Sequence, residues 1–367
     1  MFFGIYATGA VAESHEPVMR ARLKDVAARA GVAANTASAI LNRRGSSWAS
    51  KATEERVFKA ARELGYRPSR AALGLRLGSF KTVGLLVPDL HNPVYTTFAD
   101  LLERRMRDEG YDLILESSRN DLTFEQHCLE SLLDRQIDAA TYFVSDLDRH
   151  LEFLKVAAKA GKPIVAQTSQ AEDRFPFDAV EVDFSEGVSN AVQHLLELGH
   201  ERFAFLCALA KGQTAGNRPE VYNSLLRERG IPEENNSFIA CAHDMLSAWK
   251  SFGAFLDRME ERRPTALIAM NDLSAIAAMR AATDRGLRIP RDLSVIGVDN
   301  IPLGDYLYSR LTTIAQPLPE LASATADLLL HRLNGTGAET GPLSRKFKAE
   351  LIVKESTAPP PPDQPPA

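Results

Sequence analysis

Between residues 20 and 80 the chain carries 13 Lys and Arg side chains against four acids, Asp25, Glu54, Glu55 and Glu63, a local net charge of +9. The rest of the 367-residue chain is left with −14, although the whole protein carries only −5. Clustered cations on one small module suit a polyanion, because phosphate contacts and counterion release depend on local charge density. A solvated basic surface without a partner is the other use of such a cluster. A second group of polar residues stands where short apolar runs end: Tyr95 follows Thr82–Val87, Asn271 and Asp272 follow Ala266–Met270, and Asp299 closes Leu293–Val298. If those runs are parallel strands, their carboxyl ends are where such sheets bind small ligands.

Catalytic and nucleotide-binding chemistry leaves no comparable trace. The turn after the first apolar run, VPDLHNPVY, has no glycine to let backbone N–H groups approach a phosphate. Gly335–Gly341 is glycine-rich, but it follows a predicted helix with the wrong spacing and reads as a loop. There is no GxxxxGK[ST], HExxH or GxSxG, and the eight histidines, His91 and His127 among them, lack metal-ligand spacing. Cys128, Cys207 and Cys241 lie far apart with no CxxC pair, which suits buried, reduced thiols. The expectation is a protein with no cofactor, no metal and no catalytic residues. An enzyme whose catalytic groups are scattered along the sequence is the alternative.

The elements that must position these residues follow from periodicity. Leu23, Val26, Ala27 and Ala30 repeat at helical spacing, as do Val57, Ala60, Ala61 and Leu64, and a short helix over Ala34–Leu41 lies between them. Gly31 is a natural stop for the first helix and Ser50 a natural N-cap for the third. Helix, glycine-containing turn and short helix inside a basic segment make a helix-turn-helix signature. After Lys81 ten short apolar runs alternate with amphipathic helices such as Thr97–Gly110 and Ser274–Gly286. The runs do not alternate strictly, as expected for parallel strands buried on both faces. The body is therefore α/β, with two doubly wound sheets.

No apolar run approaches the ~18 residues needed to cross a bilayer. The apolar stretch ahead of Ala10-Val11-Ala12 has no preceding Lys or Arg, so it lacks the charged start of a signal peptide and a cytoplasmic location is expected. Residues 1–20 read as a disordered extension and 358–367, APPPPDQPPA, as a disordered tail.

LKDVAARAGVAANTASAILN at 23–42 and ELGYRPSRAALGLRLGSFKTVGLLVPDLHNP at 63–93 resemble the LacI/GalR family of bacterial transcriptional regulators. RQIDA at 135–139, LLELGH at 195–200, TAGNR at 214–218, AMND at 269–272, RGLRIPRDLSVIGVDNIPLGDY at 285–306 and LTTIAQP at 311–317 follow in family order, so the resemblance covers about 21 to 355. It implies a helix-turn-helix domain over 21–68, a hinge over 69–80, and a body like a periplasmic binding protein. Chain crossings near 182, 315 and 345 would divide that body into one subdomain from 81–182 and 316–345 and another from 183–315 and 346–357. It also implies a homodimer on two-fold symmetric double-stranded operator DNA, with a small effector between the subdomains.

In the resembling family the second helix enters the major groove and its first, second and sixth residues read bases, here Ala34, Asn35 and Ala39. Asn can bond adenine in bidentate fashion, whereas alanine can only touch a thymine methyl, so direct readout is expected to be sparse. Thr36, Ser38, Asn42 and Tyr66 match phosphate-contacting positions, and Arg43, Arg44 and Arg70 are further DNA candidates. Capping and internal packing are the alternative for Thr36 and Ser38, and packing for Trp48. Leu75 stands where the family inserts a leucine into the minor groove from a hinge helix that folds on DNA. Gly74 makes that helix harder to order, so Gly74→Ala is expected to tighten operator binding.

For the effector, the resemblance points to Tyr95, Thr214, Arg218, Asn271, Asp299 and Gln316. Arg218 opposite Asp299 suits vicinal hydroxyls or the edge of a base, with a structural salt bridge as the alternative and helix capping as a further use of Asn271. Thr168 and Met245 stand where members often carry an Asp and an aromatic platform, a departure that weakens the case for an ordinary free hexose. The function expected is that of a DNA-binding regulator, a repressor switched by a small polar metabolite such as a sugar or sugar derivative. A solute-binding or enzymatic α/β protein without a DNA role is the alternative.

Overall fold

The computed structural model describes residues 21–42, 49–68, 70–143, 151–152, 154–157, 161–169, 177–208, 218–259, 262–335 and 341–362. The expected extension over 1–20, Arg43, Arg44, Trp48, Ser69, Thr214 and residues 363–367 lie outside them. The chain divides into two compact units, one ending at Phe80 and one beginning at Lys81.

The first unit holds α1 (Leu23–Ala30), α2 (Ala34–Leu41), α3 (Lys51–Glu63) and α4 (Arg70–Leu77). Its small core is the set of apolar residues the spacing picks out: Val26, Ala27 and Ala30 meet Ala37, Ile40, Val57, Ala60 and Ala61. The ends are fixed locally. Arg22 N donates to Asp25 Oδ2 at 2.8 Å, Gly31 closes α1 in the left-handed region at φ 66°, and Ser50 Oγ accepts from Thr53 N.

The second unit has twelve described strands: β1 (Thr82–Val87), β2 (Asp112–Ser117), β3 (Ala139–Phe143), β4 (Ile164–Thr168), β5 (Asp178–Asp183), β6 (Phe203–Ala208), β7 (Asn236–Cys241), β8 (Ala266–Ala269), β9 (Ser294–Asp299), β10 (Thr312–Ala315), β11 (Ser344–Lys348) and β12 (Glu350–Ile352). They form two six-stranded sheets, ordered β11-β5-β4-β3-β1-β2 and β12-β10-β9-β8-β6-β7. Every pairing is parallel except β10 with β12. Helices α5 (Pro93–Asp108), α6 (Leu122–Asp134), α7 (Ser185–Glu197), α8 (Arg218–Glu228), α9 (Met245–Met259), α10 (Asp272–Thr283) and α11 (Leu318–Leu333) connect and cover them. This is the doubly wound α/β architecture expected.

Two differences from the sequence reading have plain causes. β11 reads SRKFK, a charged and largely exposed edge strand with no apolar run to announce it. Its Lys346 reaches Glu181 at 3.3 Å and Asp183 at 3.0 Å on β5. Because β11 holds the chain in the first sheet through Lys348, the third crossing falls at Ala349 and not between 345 and 346. Ala358, where a disordered tail is expected to open, is instead held by the body. Ala358 is tied down by Ser294 Oγ, which accepts from its N–H at 3.0 Å, and by His200 Nε2 at 3.0 Å from its carbonyl.

The three crossings pack against one another. Ala349, fully buried, donates its N–H to Asp183 O at 3.0 Å. A Cβ on Gly187 of α7 would lie 2.6 Å from Ile314 Cγ2 and 2.8 Å from the Ala349 carbonyl oxygen. Gly187→Ala is therefore expected to cost about 1–3 kcal/mol through overpacking. Urea unfolding would read this as a lower midpoint, and an unchanged midpoint would refute the close approach.

Candidate functional site

Two sets of residues were singled out by sequence, one in each unit. In the first unit, the start of α2 faces outward: Ala34 and Asn35 are exposed, Thr36 and Ala39 half-buried. Ser38 turns inward. It is 6% exposed, and its hydroxyl accepts from Asn42 Nδ2 at 3.3 Å and from Arg76 Nη1 at 3.5 Å. Asn42 Nδ2 also donates to Ser38 O at 2.7 Å, and Tyr66 packs on the three-helix core, so these side chains have structural uses beside any phosphate contact. Arg70 opens α4, and Leu75 in its middle is 70% exposed. The Leu75 side chain is therefore not used in packing within the unit.

In the second unit, strand ends converge where the two sheets approach. Asp299 closes β9 with φ 116°, a left-handed backbone that a non-glycine residue adopts only under local constraint. Its carboxylate is buried and joins three segments. Oδ2 accepts from Asn92 Nδ2 at 3.1 Å, and Oδ1 accepts from Gln316 Nε2 at 2.7 Å. Asn92 belongs to the β1–α5 turn of the first sheet, where its own Oδ1 caps α5 by accepting from Val94 N at 3.1 Å. Gln316 lies on the second crossing, between β10 and α11. Burial pushes the Asp299 carboxyl up to about 6, against the pull of Asn92, Gln316 and the Arg218 guanidinium.

Arg218, the first residue of α8, places its guanidinium 4.7 Å from the Phe184 ring centre, and Nη1 donates to Met270 O at 3.2 Å. Burial lowers its pKa, while Asp299 and Tyr95 oppose that shift. Arg218, Asp299 and Tyr95 thus share one low-dielectric neighbourhood. The Tyr95 ring stands edge-on to Phe143 at 5.0 Å, and burial and Asp299 together raise its phenol. Asn271 caps α10, its Oδ1 accepting from Ser274 N at 2.7 Å. Thr168 ends β4 and Met245 opens α9; the hydrogen bonds of Asp299 bring in neither.

Sequence reasoning missed Asn92, Phe184 and the work done by Asp272. Asn92 could have been found, since Asn directly before a Pro is a helix-start signal. Asp272 is fully buried. Its Oδ2 accepts from Ile301 N at 2.8 Å and its Oδ1 from Thr313 Oγ1 at 2.6 Å, while Thr313 Oγ1 accepts from Asn300 N at 3.2 Å. Those bonds fix the backbone directly after Asp299. Gly297 makes room for this carboxylate, since a Cβ there would strike Asp272 Oδ1.

With this geometry in view, the comparisons with known proteins are specific. Residues 22–69 match the model of bacterial regulatory proteins of the lacI family, and 192–357 match a periplasmic binding protein-like domain. The transcriptional regulator DegA of Bacillus subtilis is 32% identical over 348 residues, covering 93% of this chain and 99% of that protein. The chain belongs to the LacI family. It is accordingly a transcriptional regulator and not an enzyme. The Lac repressor dimer bound to operator shares the fold at TM-score 0.77 and 24% identity, with 92% of this chain and 99% of that one covered. The regulator CelR in complex with cellobiose is 27% identical at TM-score 0.65, covering 92% of this LacI-family chain and 100% of its own. No helix among the described residues is long and apolar enough to cross a membrane.

Proposed function

We propose that the protein is a cytoplasmic repressor that binds a two-fold symmetric operator as a homodimer and is switched by a small polar metabolite, a sugar or sugar derivative, held between its two sheets. The observation that carries the effector site is the Asp299 carboxylate, which joins Asn92 of one sheet to Gln316 on a crossing. A ligand hydroxyl that replaces either amide donor at Asp299 changes what holds the sheets together, which couples occupancy to shape. Arg218, Tyr95, Asn271, Thr168 and Met245 are the further effector contacts in this reading, with Thr214, outside the described residues, as another candidate. The cellobiose bound by CelR supports the sugar class. Ala34, Asn35 and Ala39 read bases; Thr36, Ser38, Asn42, Arg43, Arg44, Tyr66 and Arg70 hold phosphates; and Leu75 is the minor-groove wedge. The body divides at the three crossings, the third at Ala349.

Selection of binding sites from fragmented genomic DNA, followed by fluorescence anisotropy on the recovered site with a panel of mono- and disaccharides, tests this. Specific binding that a sugar weakens or strengthens is expected, and binding that is equally tight to random DNA would overturn it. Within that assay Asn35→Ala should relax base preference at one position per half-site, at about 1–3 kcal/mol. An unchanged preference would remove Asn35 from the reading set.

A further inference from the structure

Asp299 and Asn300 are consecutive non-glycine residues with left-handed backbone, at φ 116° and 56°. Such a pair persists only where its surroundings over-determine it. One side of the turn is held by Asp272 and Thr313, which accept from the N–H groups of Ile301 and Asn300. Its other side is held from far along the chain. Lys354 Nζ donates to Asn300 Oδ1 at 2.9 Å and pairs with Asp305 Oδ1 at 2.6 Å, so one ammonium spans the turn from Asn300 into the short 3-10 helix Pro302–Tyr306. A lysine suits this place, because its three N–H donors can serve an amide oxygen and a carboxylate at once. The Lys354 side chain is only 12% exposed. Its backbone is fixed to the second sheet: its own N–H donates to Thr312 Oγ1 at 2.9 Å, and Glu355 N donates to Arg310 O at 2.9 Å. Lys354 follows β12, the first element after the third crossing.

We propose that Lys354 is a positioning residue for the effector site: bonded to Asn300 and Asp305, it holds the left-handed turn from which the Asp299 carboxylate reaches Asn92 of the facing sheet. The proposal rests on the reading of Asp299 as an effector contact. Lys354 acts through Asn300 and makes no contact with the effector. A carboxylate already held in one direction has less freedom to lose when a ligand hydroxyl takes the place of an amide donor, and the saving appears as affinity. Without the ammonium, Asn300 keeps its N–H bond to Thr313 while its side chain is released, and Asp299 is held less firmly. Both acceptors face water, Asn300 exposed and the Asp305 side chain 49% exposed, so removing the lysine strands no buried group and the variant should fold.

Lys354→Met, Lys354→Arg and Asn300→Gly in the full chain test this, with the selected operator and the same panel of mono- and disaccharides, cellobiose among them. Glycine keeps the left-handed backbone and deletes the lysine's partner. Lys354→Met should raise the sugar concentration that half-maximally shifts operator affinity by about tenfold, the loss of a hydrogen bond to a charged group. Lys354→Arg should recover most of that loss, with sugar-free operator affinity and the urea midpoint as controls for a purely structural effect. In the Asn300→Gly background Lys354→Met should change the half-maximal concentration by less than about twofold, because the two residues act as one unit. A loss that arginine does not recover, an equal loss in both backgrounds, or no loss beside a large one on Asp299→Ala would overturn the proposal and leave the effector reading standing. A wild type that answers to no sugar, or an Asp299→Ala variant that answers as the wild type does, would remove the effector reading and this proposal with it.

Discussion

Asp299→Ala is expected to raise the ligand concentration that half-maximally shifts operator affinity by about 30-fold or more. Truncating one member of a buried, hydrogen-bonded charged cluster costs about 2–5 kcal/mol, much of it from the partners left behind. Here those partners are the Asn92 and Gln316 amides and the Arg218 guanidinium, all in the same water-poor region. Asp299→Asn should also fail, because its amide turns a donor toward Asn92 or Gln316, each of which already donates. A pH series adds a second readout. With its carboxyl pushed up to about 6, Asp299 takes up a proton on acidification and loses acceptor capacity, so ligand response should weaken below that pH in the wild type. Operator-affinity titrations across pH 5–8 would measure both effects, and a half-maximal concentration unmoved by Asp299→Ala would place the ligand elsewhere.

Asp272→Ala and Asp272→Asn should part company by several kcal/mol in folding stability. The carboxyl is fully buried, and burial together with the Asp299 charge pushes it up to about 8, despite the bonds from Thr313 and Ile301. Its folded pKa thus lies above the unfolded value. The stability it contributes is complete below the unfolded pKa, near 4, and is lost as pH rises through about 8. Asparagine reproduces the protonated acid: its amide donates to Thr313 Oγ1 and its carbonyl accepts from Ile301 N. Asp272→Asn should therefore match the wild type near pH 4 and exceed it in alkali, by an amount on the order of a few kcal/mol. Asp272→Ala strands a backbone N–H and a hydroxyl at every pH and should destabilise throughout. Urea unfolding at pH 5, 7 and 9 distinguishes them; an asparagine variant equally unstable at all three would mean that Asp272 is ionised in the fold.

How much of this was legible beforehand follows the range of the interactions. The helices of the first unit are set by neighbours in sequence, such as Ser50 over Thr53 and Gly31 after Ala30, and these could be read directly. So could the buried strands, whose apolar runs depend on no partner. β11 could not, because an edge strand of Ser, Arg and Lys is stabilised by Glu181 and Asp183 of another strand far back in the chain. The same holds at the proposed effector site. Asp299 was visible as a strand-end acid, but its partner Asn92 lies 207 residues earlier, and only the approach of two sheets brings them together. Ser38 shows another limit: its position in the short helix matches a phosphate contact, and the sequence does not reveal that its side chain also binds Asn42 and Arg76. Gly74 reads as a weak point in a helix, and the sequence does not reveal that the Phe80 ring occupies the space of its missing side chain.

Gly187, Ile314 and Ala349 come from three separate stretches of chain, each beside one of the passages from sheet to sheet, and they touch. Mechanically, three tethers gathered at one place resist stretching and sliding and yield to bending, as a leaf spring does. Tethers gathered in this way would favour rotation of the two halves of the second unit about the crossings over sliding or separation. A molecule bound between the halves would then act mainly by setting the angle between them. Chemically unrelated ligands would then differ in how far they turn the hinge and in which sense, which is sufficient for one scaffold to be loosened from DNA by one compound and tightened by another.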